Sequence, residues 1–208
     1  MKKGLIVLLV ILGVLGIAAL FFSGTYNELV RADETVKQAW AQVENVYQRR
    51  LDLIPNLVES VKGYAAHEKS TFVEVTEARA KAAGSLNPGV INDPAKFQEF
   101  QQSQTALSSA LSRLMVVVEK YPDLKANENF LALQTQLEGT ENRISVERGR
   151  FNEAVRDYNT ATKRFPSVLF AAFFGFKEKP YFAAREGSDR PPEVKFNFGA
   201  PTNAPARP

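Results

Sequence analysis

Hydrophobic residues recur at helical spacing along three long stretches of the chain, and turn residues separate these stretches. In the first stretch, residues 27–83, apolar side chains repeat every seven residues in two neighbouring series. One series is Leu29, Val36, Val43 and Leu57, and the other is Trp40, Tyr47, Ile54 and Val61. A seam of this width is typical of an amphipathic helix that buries one face in a core.

The other two stretches, residues 95–121 and 128–165, alternate steps of three and four between their seam positions. The first of these seams is Phe97, Phe100, Gln104, Leu107, Leu111, Leu114, Val118 and Tyr121. The second is Phe130, Leu133, Leu137, Thr140, Ile144, Glu147, Phe151, Ala154, Tyr158, Ala161 and Phe165. Pro122 and Pro166 end these helices, and Asn127 can cap the last one. The pattern predicts an all-α, coiled-coil-like bundle of antiparallel helices.

The first stretch contains two candidate helix breaks, Pro55 and Gly63. Proline removes a backbone donor and clashes with the preceding turn, and glycine weakens a helix interior. An unbroken helix over residues 27–83 would rise about 85 Å and leave its own apolar seam without a partner. A break allows an up-and-down four-helix bundle, in which residues 84–94 (GSLNPGVINDP) form a loop. Local propensity does not choose between the two positions.

Arg50 takes the place of an apolar residue in the first seam, and Glu147 does so in the last. An unpaired buried charge is very costly, so a buried Arg50 needs a carboxylate or a route to water. Adding helix lengths at 1.5 Å per residue puts Arg50 about 35 Å and Glu147 about 33 Å above the starting level. We therefore predict a structural polar layer in which the two residues pair and set the helix register. The alternative is that Arg50 extends past its neighbours to solvent.

Before the first seam, residues 4–22 (GLIVLLVILGVLGIAALFF) form an uncharged apolar run preceded by Lys2 and Lys3. About 20 apolar residues cross the hydrocarbon core of a bilayer as a helix, so this run is just long enough for one transmembrane helix. A cleaved signal peptide is the alternative, but its apolar region is shorter and ends at small residues, whereas Phe22 is bulky. We expect an uncleaved, single-pass anchor in the lipid bilayer.

The lysines before the run predict a cytoplasmic N-terminus, with the helical domain on the outer, periplasmic or extracellular, side of the cell membrane. The predicted organisation is therefore a membrane anchor over residues 1–26 and a helical bundle over residues 27–185. Residues 186–208 are rich in proline, and we predict an extended, partly disordered tail there.

A short apolar run, VLFAAFFGF at residues 168–176, follows the last helix. Nine residues are too few to span a bilayer, so one interpretation is a short helix that closes the end of the bundle. The other is insertion into the membrane surface through Phe173 and Phe174. Helix lengths return this run to the level of the anchor, and Lys177 and Lys179 follow it.

Composition removes several classes of function. The chain has no cysteine, which excludes disulfides, thiolate catalysis and Cys-ligated metals, and His67 is its only histidine. A net charge of +3 with interleaved signs provides no basic stripe for nucleic acid. HEKST at residues 67–71 lacks the second histidine of a zincin helix, and the sequence has no phosphate-binding glycine motif or nucleophile elbow. We predict no cofactor and no catalytic activity.

Several long and ordered motifs resemble the LemA family of helical bacterial proteins, from the anchor to Phe198. They are the Ala-Trp pair at 39–40, RRLDLIPNLVESVKGYAAHE at 49–68, YNELV at 26–30, EKYPDLKANENF at 119–130, LEGTENR at 137–143, FNEAVRDYN at 151–159 and Phe165-Pro166. The resemblance implies one N-terminal membrane helix and a four-helix bundle outside or beside the membrane. It carries no catalytic residues, and the proline-rich tail lies outside the family pattern.

Some members of this family are associated with membrane organisation and others are encoded near membrane proteases, which implies a partner-binding role. One hypothesis is a structural or adaptor module that organises protein partners in the membrane or its own copies. The other is a regulatory or sensory subunit of a membrane proteolysis or envelope-stress system. A helix that continues from Phe22 into Glu28 would favour the second hypothesis, because it could relay motion from the anchor to the bundle.

Overall fold

The computed structural model describes residues 2–183, with the side chains of that range other than those of residues 2, 3, 17–19 and 21. The predicted tail over residues 186–208 lies outside the described residues. All the regular secondary structure within 2–183 is helical, which confirms the all-α prediction. The helices are α1 (Lys2–Lys62), α2 (Lys69–Gly84), a 3-10 helix (Pro88–Asn92), α3 (Pro94–Val118), α4 (Pro122–Lys125), α5 (Glu128–Lys163) and α6 (Ser167–Phe174).

Helices α1, α2, α3 and α5 form a four-helix bundle, in which α1 packs along α5 and α2 packs along α3. The antiparallel register of α1 and α5 is regular, because the residue numbers of facing partners add to 191. These partners are Tyr64 with Asn127, Arg50 with Glu141, and Trp40 with Phe151. Both predicted seams face each other in this pair, and Trp40 and Phe151 are almost fully buried.

Helix α1 runs through Pro55 without ending and stops at Lys62, next to Gly63. In a regular helix the amide of residue 55 would donate to the carbonyl of Leu51, and proline cannot do so. That carbonyl instead accepts a hydrogen bond from Arg79 Nε of α2, at 2.8 Å. A side chain of the neighbouring helix thus replaces the missing donor, and the chain reverses at residues 63–68.

Residues 84–94, predicted as a loop, contain the 3-10 helix and contribute to the core. Asn87 accepts a hydrogen bond from Gly89 N at 3.1 Å and opens the 3-10 helix, which buries Val90 and Ile91 in the bundle. Asp93 then caps α3 by accepting hydrogen bonds from the first amides of that helix. The chain therefore continues along the bundle past the end of α2 before it turns back.

The core has two parts, which meet at a layer of polar side chains. We call the part far from the N-terminus of α1 the distal cluster, and α2 completes its cross-section. Its members include Leu51, Ile54, Leu57, Val61, Phe72, Val75, Leu107, Leu111, Leu114, Leu124 and Phe130. The proximal cluster is richer in aromatic rings: Val36, Trp40, Val43, Tyr47, Val90, Ile91, Phe97, Phe100, Ile144, Phe151, Val155, Tyr158 and Phe182.

The chain beyond α5 folds back onto the proximal half. A cis peptide bond at Phe165-Pro166 leads into α6, and Gly175, with φ of 76°, ends that helix in the left-handed conformation that glycine tolerates. Residues 176–183, which we call the strap, then run along the bundle without regular secondary structure. Phe165 was predicted to lie in the core seam but is 77% exposed, because α5 has already ended at Lys163.

Helix α1 also includes the apolar run over residues 4–22, so the run and the bundle share one continuous helix. Within the described residues, no helix contains a segment with both the length and the hydropathy needed to cross a membrane. The predicted transmembrane span over residues 4–22 therefore stays a prediction.

Candidate functional site

Arg50 lies at the centre of the polar layer between the two clusters. Its Nε is 2.8 Å from Glu141 Oε1, and its Nη2 donates to Ser108 Oγ at 2.7 Å. The Arg50 side chain is only 3% exposed, so it does not extend to solvent as the alternative interpretation required. The buried charge is instead neutralised by a carboxylate and hydrogen-bonded by a hydroxyl, as a buried guanidinium needs.

The predicted pairing of Arg50 with Glu147 is wrong. Glu147 forms an ion pair with Arg150 one turn away on its own helix, with 2.8 Å between Arg150 Nη1 and Glu147 Oε1. The shift from Glu147 to Glu141 is six residues, or about 9 Å along a helix. The prediction took the chain to turn back at the end of α2, but the five residues of the 3-10 helix lead it about 10 Å further. Helices α3 and α5 are displaced by that length.

The polar layer continues across α2 and α3. Ser85 and Ser103 share a hydrogen bond of 2.6 Å between their hydroxyls, and Gln104 Nε2 donates to the carbonyl of Ala82 at 3.4 Å. Thr140 of α5 is buried in the same region and donates to its own helix. Hydroxyl and amide donors that meet these partners only in one alignment favour a single register, which supports a structural role for this layer.

The second predicted site is the apolar end of the molecule, where α6 packs on α1. The ring centroids of Phe22 and Phe170 are 4.7 Å apart, and those of Tyr26 and Phe174 are 5.0 Å apart. A groove of about 620 Å³ lies between the two helices and is lined almost entirely by apolar side chains. Phe174 is 52% exposed and Phe173 is 82% exposed, so α6 leaves much of its aromatic surface uncovered.

This exposed face continues into the N-terminal part of α1. The large apolar residues Leu5, Ile6, Val7, Leu8, Leu9, Val10, Ile11, Leu12, Val14 and Leu15 are all exposed. An apolar surface of this extent is unusual on a protein surrounded by water, and it marks a protein or membrane contact. Lys177 is exposed beside it, whereas Lys179, which was expected at the same surface, turns into the bundle and is 5% exposed.

Lys179 is the centre of a charged cluster that sequence patterns did not reveal. Its Nζ lies 2.9 Å from Asp33 Oδ1 and donates to Asn92 Oδ1 at 2.9 Å. It also stands 5.1 Å from the centroid of the Tyr158 ring, within reach of a cation–π interaction. On its other side, Asp33 forms an ion pair with Lys37 at 2.9 Å. The cluster therefore holds α1, α5, the 3-10 helix and the strap together.

The electrostatics of this cluster follow from its contacts. Burial pushes the pKa of Asp33 upward, but hydrogen bonds and charge from Lys37 and Lys179 outweigh burial and lower it below its usual value. The pKa of Lys37 is raised by hydrogen bonds to Glu34 and Asp33. Burial and the charge of Asp33 raise the pKa of Tyr158 to about 12. At neutral pH these shifts keep Asp33 ionised, Lys37 protonated and the Tyr158 hydroxyl neutral.

The described residues contain no group of three or more His, Cys, Asp or Glu side chains that could hold a metal ion. His67, the only histidine of the sequence, lies exposed in the turn between α1 and α2. The absence of a catalytic activity stays a prediction.

Comparison with known proteins identifies the family. The sequence model described as "LemA family" matches residues 39–196, which is most of the chain. The chain belongs to the LemA family. Within the matched residues lie all the contacts of the polar layer and the whole strap, so these are features of the family domain of this chain.

Named relatives extend this finding. The chain is 27% identical to magnetosome protein MamQ of Magnetospirillum gryphiswaldense, over 92% of this chain and 77% of that protein. It is 28% identical to magnetosome protein MamQ 2 of Paramagnetospirillum magneticum, over 80% of this chain and 67% of that protein. It is also 25% identical to protein LemA of Metamycoplasma hominis, over 75% of this chain and 64% of that protein.

Sequence reasoning missed the strap contacts, although one signal for them was present. Asn152, Val155, Asn159 and Thr162 form a stripe with steps of three and four beside the predicted seam of α5. Three of these residues are polar, so the stripe did not suggest a core, yet Val155, Asn159 and Thr162 are buried. A polar stripe of that kind is what a buried extended backbone requires, because its amides and carbonyls need partners.

Proposed function

We propose that this LemA-family protein is a membrane-anchored adaptor without catalytic activity, which organises protein partners in the membrane. In this proposal residues 4–22 enter the bilayer and α6 lies in its surface. The bundle then stands outside, with the N-terminus in the cytoplasm. The observation that carries the proposal is the exposed aromatic face of α6, which packs on α1 where the apolar run ends.

The chemistry of α6 fits the boundary of a bilayer. Its sequence SVLFAAFF has no charged residue, and exposed Phe173 and Phe174 line the same groove as Phe22. Aromatic and apolar side chains of this kind enter the region between headgroups and acyl chains, and a second contact adds to the hold of a single span. Exposed Lys177 follows and can face anionic headgroups.

The comparisons also support a role without catalysis. The relatives are named for a structure, the magnetosome, or for the family, and none of these names describes a reaction. The buried charges Arg50 and Lys179 are engaged in structural contacts, with Glu141 and Asp33 respectively. The surface that α6 and the N-terminal part of α1 leave uncovered is apolar, which suits binding rather than turnover.

Fluorescence quenching by brominated lipids tests the membrane contact. In a Trp40→Phe background, Phe174→Trp should be quenched in vesicles that hold the full chain, because its side chain enters the acyl region. The matched control is Val116→Trp, an exposed apolar position of α3 in the distal half, which should not be quenched. Equal quenching at both positions would show that α6 has no special place at the bilayer, and the proposal would fail.

One observation favours a second candidate, a regulatory or sensory subunit of a membrane proteolysis or envelope-stress system. Helix α1 is continuous from Lys2 to Lys62, and Ser23 Oγ donates to the carbonyl of Leu20 within that helix. A continuous helix can pass a rotation or tilt from the membrane to the polar layer. Cross-linking in native membranes separates the candidates, because an adaptor should yield several or self-linked products and a regulatory subunit one discrete partner.

A further inference from the structure

The strap is bound to the bundle as a peptide ligand would be. Asn159 donates through Nδ2 to the carbonyl of Lys179 at 2.9 Å, and its Oδ1 accepts from Lys179 N at 3.0 Å. Asn152 repeats the arrangement with Phe182, at 3.1 and 2.9 Å. Each asparagine thus holds one strap residue by both its N–H and its C=O, as a neighbouring strand would.

The spacing of the two asparagines matches an extended peptide. Asn152 and Asn159 are seven residues apart, which is two turns of helix or about 10.5 Å. Lys179 and Phe182 are three residues apart, which is about 10 Å for extended backbone. A helix presents one side chain to a straight line every seven residues, so this pairing selects an extended segment and fixes its direction.

Two pockets bind the side chains of the two clamped strap residues, Lys179 and Phe182. Phe182 is 6% exposed and lies among Trp40, Phe97 and Phe151, with ring centroids 4.9 Å from Phe97 and 5.4 Å from Phe151. Lys179 enters the polar pocket of Asp33, Asn92 and Tyr158. The groove thus combines an aromatic pocket, a cation pocket and two backbone clamps, which is how extended peptides are bound with specificity.

The strap is also shaped in advance for this groove. Pro180 lies between the two clamped residues, where it restricts the backbone to an extended form. Its missing N–H costs no contact here, because the two asparagines bond to the backbone of Lys179 and Phe182. The strap joins α6 at Gly175, whose φ of 76° is a conformation that glycine adopts and leaves easily. A hinge at one end and a self-contained binding motif are the features of a segment that can exchange between copies.

We propose that the groove between α1 and α5 is a binding site for an extended peptide with lysine and, three residues later, phenylalanine. We propose further that the strap of a second copy of this chain occupies it in exchange with the chain's own strap. A second copy is the occupant to expect because it carries the one sequence already seen to fit both pockets and both clamps. Reciprocal exchange keeps the contacts of both clamps and both pockets, and it joins two copies symmetrically. The proposal does not rest on the membrane role, because all these residues belong to the bundle.

Site-directed cross-linking between two differently substituted chains tests the exchange. Lys163 and Glu178 are exposed ion-pair partners across α5 and the strap, 2.7 Å apart, and the chain has no cysteine of its own. A chain with Lys163→Cys is mixed with a chain with Glu178→Cys and treated with a short bismaleimide. A product that joins the two chains should form well above the level of a control pair. In the control, Lys120→Cys in the distal half, also an exposed position, replaces Lys163→Cys.

The substitution Phe182→Ser makes the test directional. Placed in the Glu178→Cys chain, it should lower the mixed product by about tenfold or more, because the arriving strap has lost its aromatic anchor. Placed in the Lys163→Cys chain, it should raise the mixed product, because that chain's own strap no longer competes. A general loss of folding would lower the product in both cases, so it cannot imitate this pattern.

Two results would overturn the proposal. One is a mixed product no more abundant than the control pair, while a single chain with both cysteines cross-links efficiently, because the strap would then stay in its own groove. The other is a decrease on placing Phe182→Ser in either chain, because strap binding would then only support the fold. Neither result depends on vesicle quenching at residue 174, so failure of this proposal is distinguishable from failure of the membrane role.

Discussion

The distal and proximal halves of the bundle follow the same four-helix plan but complete it in different ways. In the distal half, α2 supplies the fourth element, and the core is mainly aliphatic. In the proximal half α2 has ended, and the 3-10 helix and the strap take its place around a core of aromatic rings. Large flat rings fill the irregular space that short segments leave, and several of them meet edge to face.

The difference shows where a helical bundle can host binding. In a half made of four regular helices, the apolar seams of the helices bury one another and no further segment is needed. A half completed by an extended segment must supply hydrogen-bond partners for its backbone, and Asn152 and Asn159 do so here. The same features that let the proximal half accept the strap also make it the part of the molecule that can respond to a competing segment.

The largest effect should come from Trp40→Ala, which removes the centre of the proximal cluster. Loss of this buried ring should lower the free energy of unfolding by about 3–5 kcal/mol, measured by urea denaturation with circular dichroism. It should also abolish hydrogen-exchange protection of the Lys179 and Phe182 amides. Leu114→Ala in the distal cluster is the control, because it should destabilise the bundle yet leave those two amides protected in its native state.

Asp33→Asn should weaken the proximal half in a pH-dependent way. At neutral pH the loss of a charged partner of Lys179 should cost about 1.5–3 kcal/mol of unfolding free energy. The folded-state pKa of Asp33 is lowered, so its contribution is present above the unfolded pKa of about 3.9 and is lost as the pH falls through the folded value. The difference between wild type and Asp33→Asn should therefore shrink below about pH 4.

Denaturation at a series of pH values would check this, with Asp157→Asn as the control. Asp157 is 71% exposed, and among the described residues it pairs with the neighbouring Arg156, so its replacement should change the unfolding free energy by less than about 0.5 kcal/mol at every pH. A constant difference for Asp33→Asn between pH 7 and pH 3 would contradict the assignment of that ion pair.

Glu141→Gln should act at the boundary between the two halves. It removes the carboxylate that neutralises buried Arg50, and because Glu141 is itself partly exposed we expect a cost of about 1–2 kcal/mol. Glu147→Gln is the matched control on the same helix and should cost less than about 0.5 kcal/mol, since its partner Arg150 is a surface residue. A larger effect at Glu147 than at Glu141 would contradict the Arg50–Glu141 pair and favour the pairing of Arg50 with Glu147 that the sequence predicted.

The smallest effect contrasts two glycines for which an added methyl group meets no atom within 4 Å. Gly175→Ala should destabilise the chain by about 1 kcal/mol, because φ of 76° is unfavourable for alanine. Gly139→Ala, in the interior of α5, should instead stabilise it by about 0.5–1 kcal/mol. Thermal denaturation of both variants would check the opposite signs. If both substitutions changed the stability in the same direction, the left-handed conformation at residue 175 would not be what disfavours alanine there.

Most of the bundle was predictable because the buried face of a regular helix appears in the sequence as apolar residues at helical spacing. The heptad series through Val36, Val43 and Trp40 identified α1 residues that are almost fully buried, and Asn127 caps α5 as expected. The presence of a charge at residue 50 also indicated a polar layer. Each of these inferences used information within one helix, where spacing along the sequence determines which side chains share a face.

The remainder depended on how segments meet, which local spacing does not encode. The 3-10 helix reads as a loop, so its length was omitted and the partner of Arg50 was placed six residues away from Glu141. The strap has no helical period, so Lys179 was expected at the membrane surface after the apolar run and Phe182 was given no role. Pro55 looked like a break because the donor that replaces its missing amide, Arg79, comes from another helix.

The pairing of α1 with α5 also has a consequence for how the protein is made. Trp40 and Phe151 touch in the folded chain but are 111 residues apart, so the seam of α1 leaves the ribosome long before its partner. At about 5–20 residues per second, translation needs roughly 5–20 s to supply that partner. During that interval the most apolar helix of the bundle is a nascent segment in need of protection. The strap, among the last described residues to be synthesised, packs on Trp40, the first aromatic ring of the proximal cluster to emerge.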